Sequence, residues 1–397
     1  MQSTRQRVRL RTVQRFRWCR AKGSADTPSI SLSPVTPPSH GLPLSMLRWW
    51  DAFEQSDFAR SIPLGNRYRE RGFSLAELND GCLSGKVVLI TGATAGIGRE
   101  TARVVAAAGA ITVLGCRNEA KGKAVLEELT ASSPGADVSL LPLDLASRAS
   151  IDAAAAQFKA RHTALHVLIN NGGIPASASP LRLADGVEEC FQVNHMGHFQ
   201  LTLALLPLIK ASSPSRIVHV SSSAHRYAPL HERWLSLSFL NDDSSHSMVE
   251  RYGMAKLAQL SFSNELHRRL QASGCTQVLS NAVHPGIVAT GLVTDNARNN
   301  FGPVLGFLIE VVMGLRNKVM AYDVTDGALT QLYAAASHNL TTGGGYYVPI
   351  AQPWRIAHPL GDDEAFGKAL WTFSEELLAR SDDTDSRACA NVTAGSQ

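Results

Sequence analysis

Tyr252 and Lys256 stand four residues apart in the sequence Tyr-Gly-Met-Ala-Lys. That spacing puts both side chains on one face of a helix. A free tyrosine titrates near pH ~10. A neighbouring ammonium favours the phenolate and lowers that value, so such a tyrosine can pass a proton to or from an alcohol or carbonyl oxygen near neutral pH. The pair alone is a common chance pattern and needs partners.

Two segments offer them. Ser221, Ser222 and Ser223 follow the apolar run 217–220, and a hydroxyl at a carboxyl strand end lies where open α/β sheets bind ligands. Asn194 falls inside the predicted helix that contains Phe191-Gln-Val-Asn-His-Met-Gly-His198. Asparagine is a poor helix-interior residue, so a kink or a bound water is expected there. Upstream, the strand-like run 86–91 leads straight into Thr91-Gly-Ala-Thr-Ala-Gly-Ile-Gly98. A strand, a glycine turn and a helix N-terminus form a phosphate cradle for a dinucleotide. Its candidate positions are Gly92, Thr94, Gly96, Ile97 and Gly98. The second strand ends in Cys116-Arg117, with no acid to accept from a ribose 2′-hydroxyl. Arg117 can pair with a 2′-phosphate, which favours NADP(H) over NAD.

These residues need a frame. Runs at 86–91, 110–116, 138–142, 167–170, 217–221 and 278–283 alternate with helical stretches at 97–108, 119–130 and 147–161. β-Branched runs between helices indicate a parallel sheet covered on both faces. The expected fold is therefore α/β, a doubly wound parallel sheet of Rossmann type in a single catalytic domain. The expected divisions are a basic extension at 1–80, the catalytic domain at 81–350, and a helix (362–380) with a polar tail at 351–397. The apolar fraction of 44% allows a large core. Residues 1–25 carry seven Arg and one Lys and no acid, while the remainder is slightly acidic, so a nucleic-acid partner has no support. Six cysteines without CxxC or zinc spacing suggest reduced thiols. No apolar run reaches the ~18–20 residues of a membrane span. Packing is the expected role of the aromatic segment 47–58.

With these motifs in order, the chain resembles the short-chain dehydrogenase/reductase family over about residues 84–350. The matching features are the glycine turn, Asp144-Leu145, Asn170-Asn171-Gly172-Gly173, Asn194, the serines, Tyr252 to Lys256, and His284-Pro-Gly-Ile-Val-Ala-Thr290. The long gap between Ser222 and Tyr252, together with Cys116-Arg117 and Asn194 to His198, is similar to the retinol-dehydrogenase-like and WW-domain-oxidoreductase-like branch. The resemblance implies a catalytic set of Asn194, Ser222, Tyr252 and Lys256. It implies Asp144 at the adenine amino group and Leu145 beside the ring, and Asn170 steadying the sheet and lining the cofactor site. Pro285, Gly286, Val288 and Thr290 belong at the nicotinamide half, and Tyr252 and Lys256 also touch the cofactor. It implies that Lys256 lowers the Tyr252 pKa. Gly172 replaces the family's usual alanine. His195 and His198 are expected without a metal.

The apolar stretch 301–312 suggests a lipophilic alcohol, aldehyde or ketone of retinoid, steroid or lipid type as substrate. The same stretch suits peripheral membrane contact, and the family suggests a homo-oligomer. Two alternatives use the same residues: a catalytically silent cofactor-sensing or scaffold member, and a tetrapyrrole reductase. The basic start resembles a transit peptide to a mitochondrion or plastid. A disordered tail, or a start at Met46, would instead leave the protein cytoplasmic or membrane-associated.

Overall fold

A computed structural model describes residues 72–78, 81–177, 179, 183, 186–242, 244–289 and 321–394, without the side chains of Glu232 and 381–394. The expectations for 1–71, for Thr290 and for the apolar stretch 301–312 lie outside the described residues.

The strands form one sheet in the order β3-β2-β1-β4-β5-β6-β7-β8. They are β1 (Val87–Thr91), β2 (Ile111–Cys116), β3 (Val138–Pro142), β4 (Val167–Asn170), β5 (Ser215–Val220), β6 (Val278–Val283), β7 (Tyr346–Val348) and β8 (Gln352–Pro353). Only β8 runs antiparallel to its neighbour. The sequence pattern misses β7 and β8 because they are short and sit among glycines and prolines. β1 lies between β2 and β4. The winding direction therefore reverses beside β1, which leaves a crevice at the carboxyl ends of β1 and β4.

Alternation along β1 explains the two cores. Val88 and Ile90 enter one cluster with Val105 of α1 (Gly96–Ala107) and Leu332 of α6 (Val324–Ala336). Val87 and Leu89 enter the other, with Phe158 of α3 (Arg148–Arg161) and Phe199 of α4 (189–211). Successive side chains of a strand point to opposite faces, and each buried aliphatic residue contributes about 1.5–3 kcal/mol. α2 (Glu119–Ser132) packs beside β3. Buried Arg216 on β5 donates to the carbonyls of Ala334, Ser337 and Leu340, so it closes the carboxyl end of α6.

The two flanks join this body. Phe73 is buried in the first cluster, and Gly72 N donates to Ile350 O at 3.0 Å. α7 (Glu364–Ala394) packs along α5 (Met248–Ala272) and sends Phe366, Leu370, Trp371 and Leu377 into the core. Its backbone continues past the expected end at residue 380. The sequence contains no Gly or Pro between 381 and 394 to stop it. Cys116, Cys190 and Cys275 are free thiols. Cys82 is disulfide-bonded, which corrects the expectation of reduced thiols at that position. Among the described residues, no helix is long and apolar enough to cross a membrane.

Candidate active site

The glycine turn bridges β1 and α1. Gly92 and Gly96 have φ of +66° and +51°. A Cβ on Gly92 would fall 2.7 Å from the Gly172 Cα, so the ends of β1 and β4 touch through bare backbone. The N-termini of α2, α3, α5 and α6 are each capped by a side chain. α1 has no side-chain cap and no acid in its first turn. Its free N–H groups and partial positive charge suit a pyrophosphate. The residues present therefore fit a dinucleotide.

The other cofactor candidates lie around this turn. Arg117 is exposed at the end of β2. Asp144 is half-buried, and its Oδ1 accepts from Ala146 N at 3.0 Å. Leu145 is buried against Gly172, where a Cβ would meet Leu145 Cδ1 at 2.9 Å. Pro285, Gly286 and Val288 follow β6. Val288 bridges to Tyr322, and a Cβ on Gly327 would strike both Val288 (2.6 Å) and Ile97 (3.2 Å). The segment after β6 is thereby pressed toward the start of α1. Asn170 is fully buried and donates to Thr202 Oγ1 at 2.9 Å. That contact ties the sheet to α4.

Thr91 was not singled out from the sequence. Its Oγ1 accepts from the backbone N–H groups of Asn171 (2.9 Å) and Gly172 (2.8 Å). The hydroxyl also lies 2.9 Å from His198 Nε2 and 3.4 Å from Ile169 O. His198 Nδ1 lies 3.2 Å from both Asn194 O and Gln259 Nε2. Burial lowers the His198 pKa to about 3, so the ring is neutral. One histidine thus links the cofactor turn to the asparagine.

Asn194 sits at the centre of a π-turn (Gln192–Met196) that interrupts α4 between Glu189–Phe191 and Gly197–Ala211. Such bulges occur inside helices, often at functional sites. The helix is irregular at this asparagine, where a kink or a bound water is expected. Its Oδ1 accepts from Ile174 N at 3.0 Å, and its Nδ2 donates to Ile174 O at 2.9 Å. The side chain therefore pairs like a strand with the segment that follows β4. Nδ2 also lies 3.1 Å from Cys190 Sγ.

α5 begins with a capping box. Ser247 N donates to Glu250 Oε2 at 2.9 Å, and Glu250 N donates to Ser247 Oγ at 3.2 Å. Five residues on comes Tyr252, then Gly253. A Cβ there would meet Ala224 O at 2.8 Å, so glycine lets α5 lie against the turn Ser223–Tyr227. The contact brings the Ser222 hydroxyl close enough to Tyr252 to lower its pKa, against the effect of burial. Ser221 is committed elsewhere, since its hydroxyl donates to Lys256 O at 2.8 Å. Lys256 Nζ donates to Val220 O at 2.9 Å and to Gln259 Oε1 at 3.2 Å. It lies 5.7 Å from the Tyr252 ring centroid. A Cβ on Gly173 would fall 2.5 Å from Asn194 Oδ1 and 3.5 Å from Lys256 Nζ. Asn194, Ser222, Tyr252 and Lys256 thus form one cluster.

Burial pushes the Tyr252 phenol above its ordinary value. The nearby Cys190 thiol adds to the rise and the Ser222 hydroxyl opposes it. Burial also pulls Lys256 down to about 8. The expected lowering of Tyr252 by Lys256 is not seen, because burial dominates. The Cys190 thiol is raised by burial and is inert. Sequence reasoning missed Cys190 and Gln259. Their spacings, four before Asn194 and three after Lys256, place them on the same helix faces.

The family model described as short chain dehydrogenase matches residues 86–232. Human retinol dehydrogenase 12 is 36% identical over 299 residues, which cover 75% of this chain and 87% of that protein. The chain belongs to the short-chain dehydrogenase/reductase family. The WW domain-containing oxidoreductase of Gallus gallus is 33% identical over 337 residues, covering 82% of this chain and 76% of that one. Both relatives lie in the branch indicated by the motifs. A crystal structure of an uncharacterised protein from Mycobacterium paratuberculosis shares 30% identity and superposes with a TM-score of 0.57, over 77% of this chain and 97% of that one. Levodione reductase shares the fold at a TM-score of 0.53 with 18% identity, over 66% of this chain and 95% of that one. As a member of this family the chain is an oxidoreductase using a nicotinamide dinucleotide. Among the described residues no group of three metal-ligating side chains occurs.

Proposed function

We propose that the protein interconverts a lipophilic alcohol and its aldehyde or ketone with NADP(H), and that Tyr252 is the acid/base. The observation that carries this reading is the juxtaposition of Ser222 and Tyr252, with Lys256 behind them and an uncapped glycine turn nearby. When bound, the nicotinamide supplies or accepts the hydride. In the reducing direction Ser222 holds the carbonyl oxygen by a hydrogen bond and Tyr252 donates its phenolic proton to that oxygen. Burial favours the protonated phenol that this step needs. Lys256 holds the ribose and stabilises the phenolate that remains. Asn194 braces the segment after β4 through Ile174. Arg117 pairs with the 2′-phosphate.

A lipophilic substrate is supported by three exposed side chains in the stretch between Ser222 and Tyr252 or close to it. Tyr227, Leu230 and Val249 are 54%, 72% and 52% exposed. Retinol dehydrogenase 12 among the relatives points the same way. A carbonyl panel of retinaldehyde, a steroid ketone, a long-chain aldehyde and pyruvate, read by NADPH absorbance with NADH in parallel, tests the proposal. Turnover of the first three with a preference for NADPH is expected. Activity on pyruvate alone would refute the substrate class, and parity of the two cofactors would remove the role of Arg117.

A further inference from the structure

A buried amide stands behind Lys256. Gln259 shares the lysine's face of α5 and is fully buried. Its Oε1 accepts from Lys256 Nζ and its Nε2 donates to Asn170 O, both at 3.2 Å. These neighbours fix the amide orientation. Exchanging oxygen and nitrogen would set an NH2 group against the ammonium and an oxygen against a carbonyl. Val220 O takes a second lysine proton. An ammonium has three protons, so one is left for a ligand.

We infer that Gln259 is a positioning residue for Lys256, its amide oxygen holding the ammonium in place so that one proton remains for the cofactor ribose. The inference rests on the proposed role of Lys256 toward the cofactor. The titratable groups that face the ammonium are Tyr252 on its own helix and Cys190 and His198 from α4. None of them is a carboxylate. The buried cation is therefore held by neutral acceptors, and the Gln259 oxygen is the one that a substitution can change. The other, Val220 O, belongs to the backbone.

The test is the pH dependence of NADPH binding, followed by nucleotide fluorescence from about pH 6 to about pH 10, with NADH alongside. Affinity falls as Lys256 loses its proton. In the unaltered protein the midpoint is expected near 8, where burial sets the lysine. Gln259→Leu removes the acceptor and moves the midpoint down by about one pH unit, while Gln259→Glu supplies a charged acceptor and moves it up by about one. A role confined to packing would not produce opposite shifts. Midpoints unchanged in both variants, or moved in the same direction, overturn the inference. If the leucine variant does not fold, the glutamate variant decides alone: an upward shift supports the inference, and no shift or a downward one overturns it. Lys256→Met separates the two claims. A pH step that survives in Lys256→Met refutes the reading of Lys256 itself. A step lost there, with no response to Gln259, refutes only the inference about Gln259.

Discussion

Asn194 and His195 are neighbours in one π-turn, yet they face two different regions. On the Asn194 side nearly every contact is a directed hydrogen bond, running through Ile174, Lys256, Gln259, His198 and Thr91. On the His195 side the surroundings are aromatic. Phe191, Phe199 and Phe262 lie 5.1–6.0 Å from its ring, and Trp371 of α7 stacks on the last two. His195 has a single hydrogen bond, to Ser374 Oγ at 2.9 Å. Ser374 donates to Leu370 O, so the histidine Nε2 is the donor, and Nδ1 has no partner. One turn of backbone thus presents chemistry to the crevice and packing to the carboxyl-terminal helix. Directed bonds fix atoms in place for a reaction, whereas apolar contact supplies most of the stability behind them.

Breaking the aromatic side should cost the most. Trp371→Ala removes a ring 5.1 Å from Phe199 and 4.0 Å from the Arg269 guanidinium. A loss of about 3–5 kcal/mol in unfolding free energy is expected, measured by urea denaturation, with the pH dependence of NADPH binding unaltered. A variant as stable as the parent would show that α7 does not support the π-turn.

Breaking the polar side should cost less stability and more function. Asn194→Ala leaves the N–H and C=O of Ile174 without their partners. About 1–3 kcal/mol of destabilisation follows, and turnover should fall by roughly tenfold to a hundredfold, the size of effect that a misplacement of about 1 Å has on a catalytic geometry. Normal turnover would remove Asn194 from the working cluster.

A third change sharpens the contrast. Burial lowers the pKa values of His195, His198, His219 and His284 to about 3. Between that value and the ordinary ~6.5, the unfolded chain binds protons that the folded protein refuses, so stability falls as pH drops through this window. At about pH 5.5 each histidine costs roughly 1.4 kcal/mol. His195→Phe keeps an aromatic ring in the box and removes that one proton site. Its melting temperature should match or exceed the parent's at neutral pH and decline less on acidification. An equally steep decline would mean that His195 is not held neutral.

The sheet was legible because continuous apolar strands and a glycine turn carry strong local signals. All six strands expected from sequence lie within a residue or two of their observed limits. Tyr252, Lys256 and the irregular helix at Asn194 were legible through spacing and poor helix propensity. The choice of Ser222 among three adjacent serines came from the family resemblance and not from spacing, because the three differ only in where the chain turns after β5. The parts played by Thr91, His198 and Gln259 were hidden for a similar reason. Their partners lie 107, 61 and 89 residues away in the chain, and no local pattern encodes such a contact. The continuation of α7 was missed because polar composition suggested a tail while helix propensity allowed a helix.

The central claim is that Tyr252 moves the proton. Tyr252→Phe removes one oxygen atom and leaves the ring in place. NADPH binding by fluorescence should stay within about threefold of the parent, while turnover of the best carbonyl substrate falls by about 10²–10⁴-fold. Turnover within about threefold of the parent, with the variant folded and NADPH bound, would contradict the account.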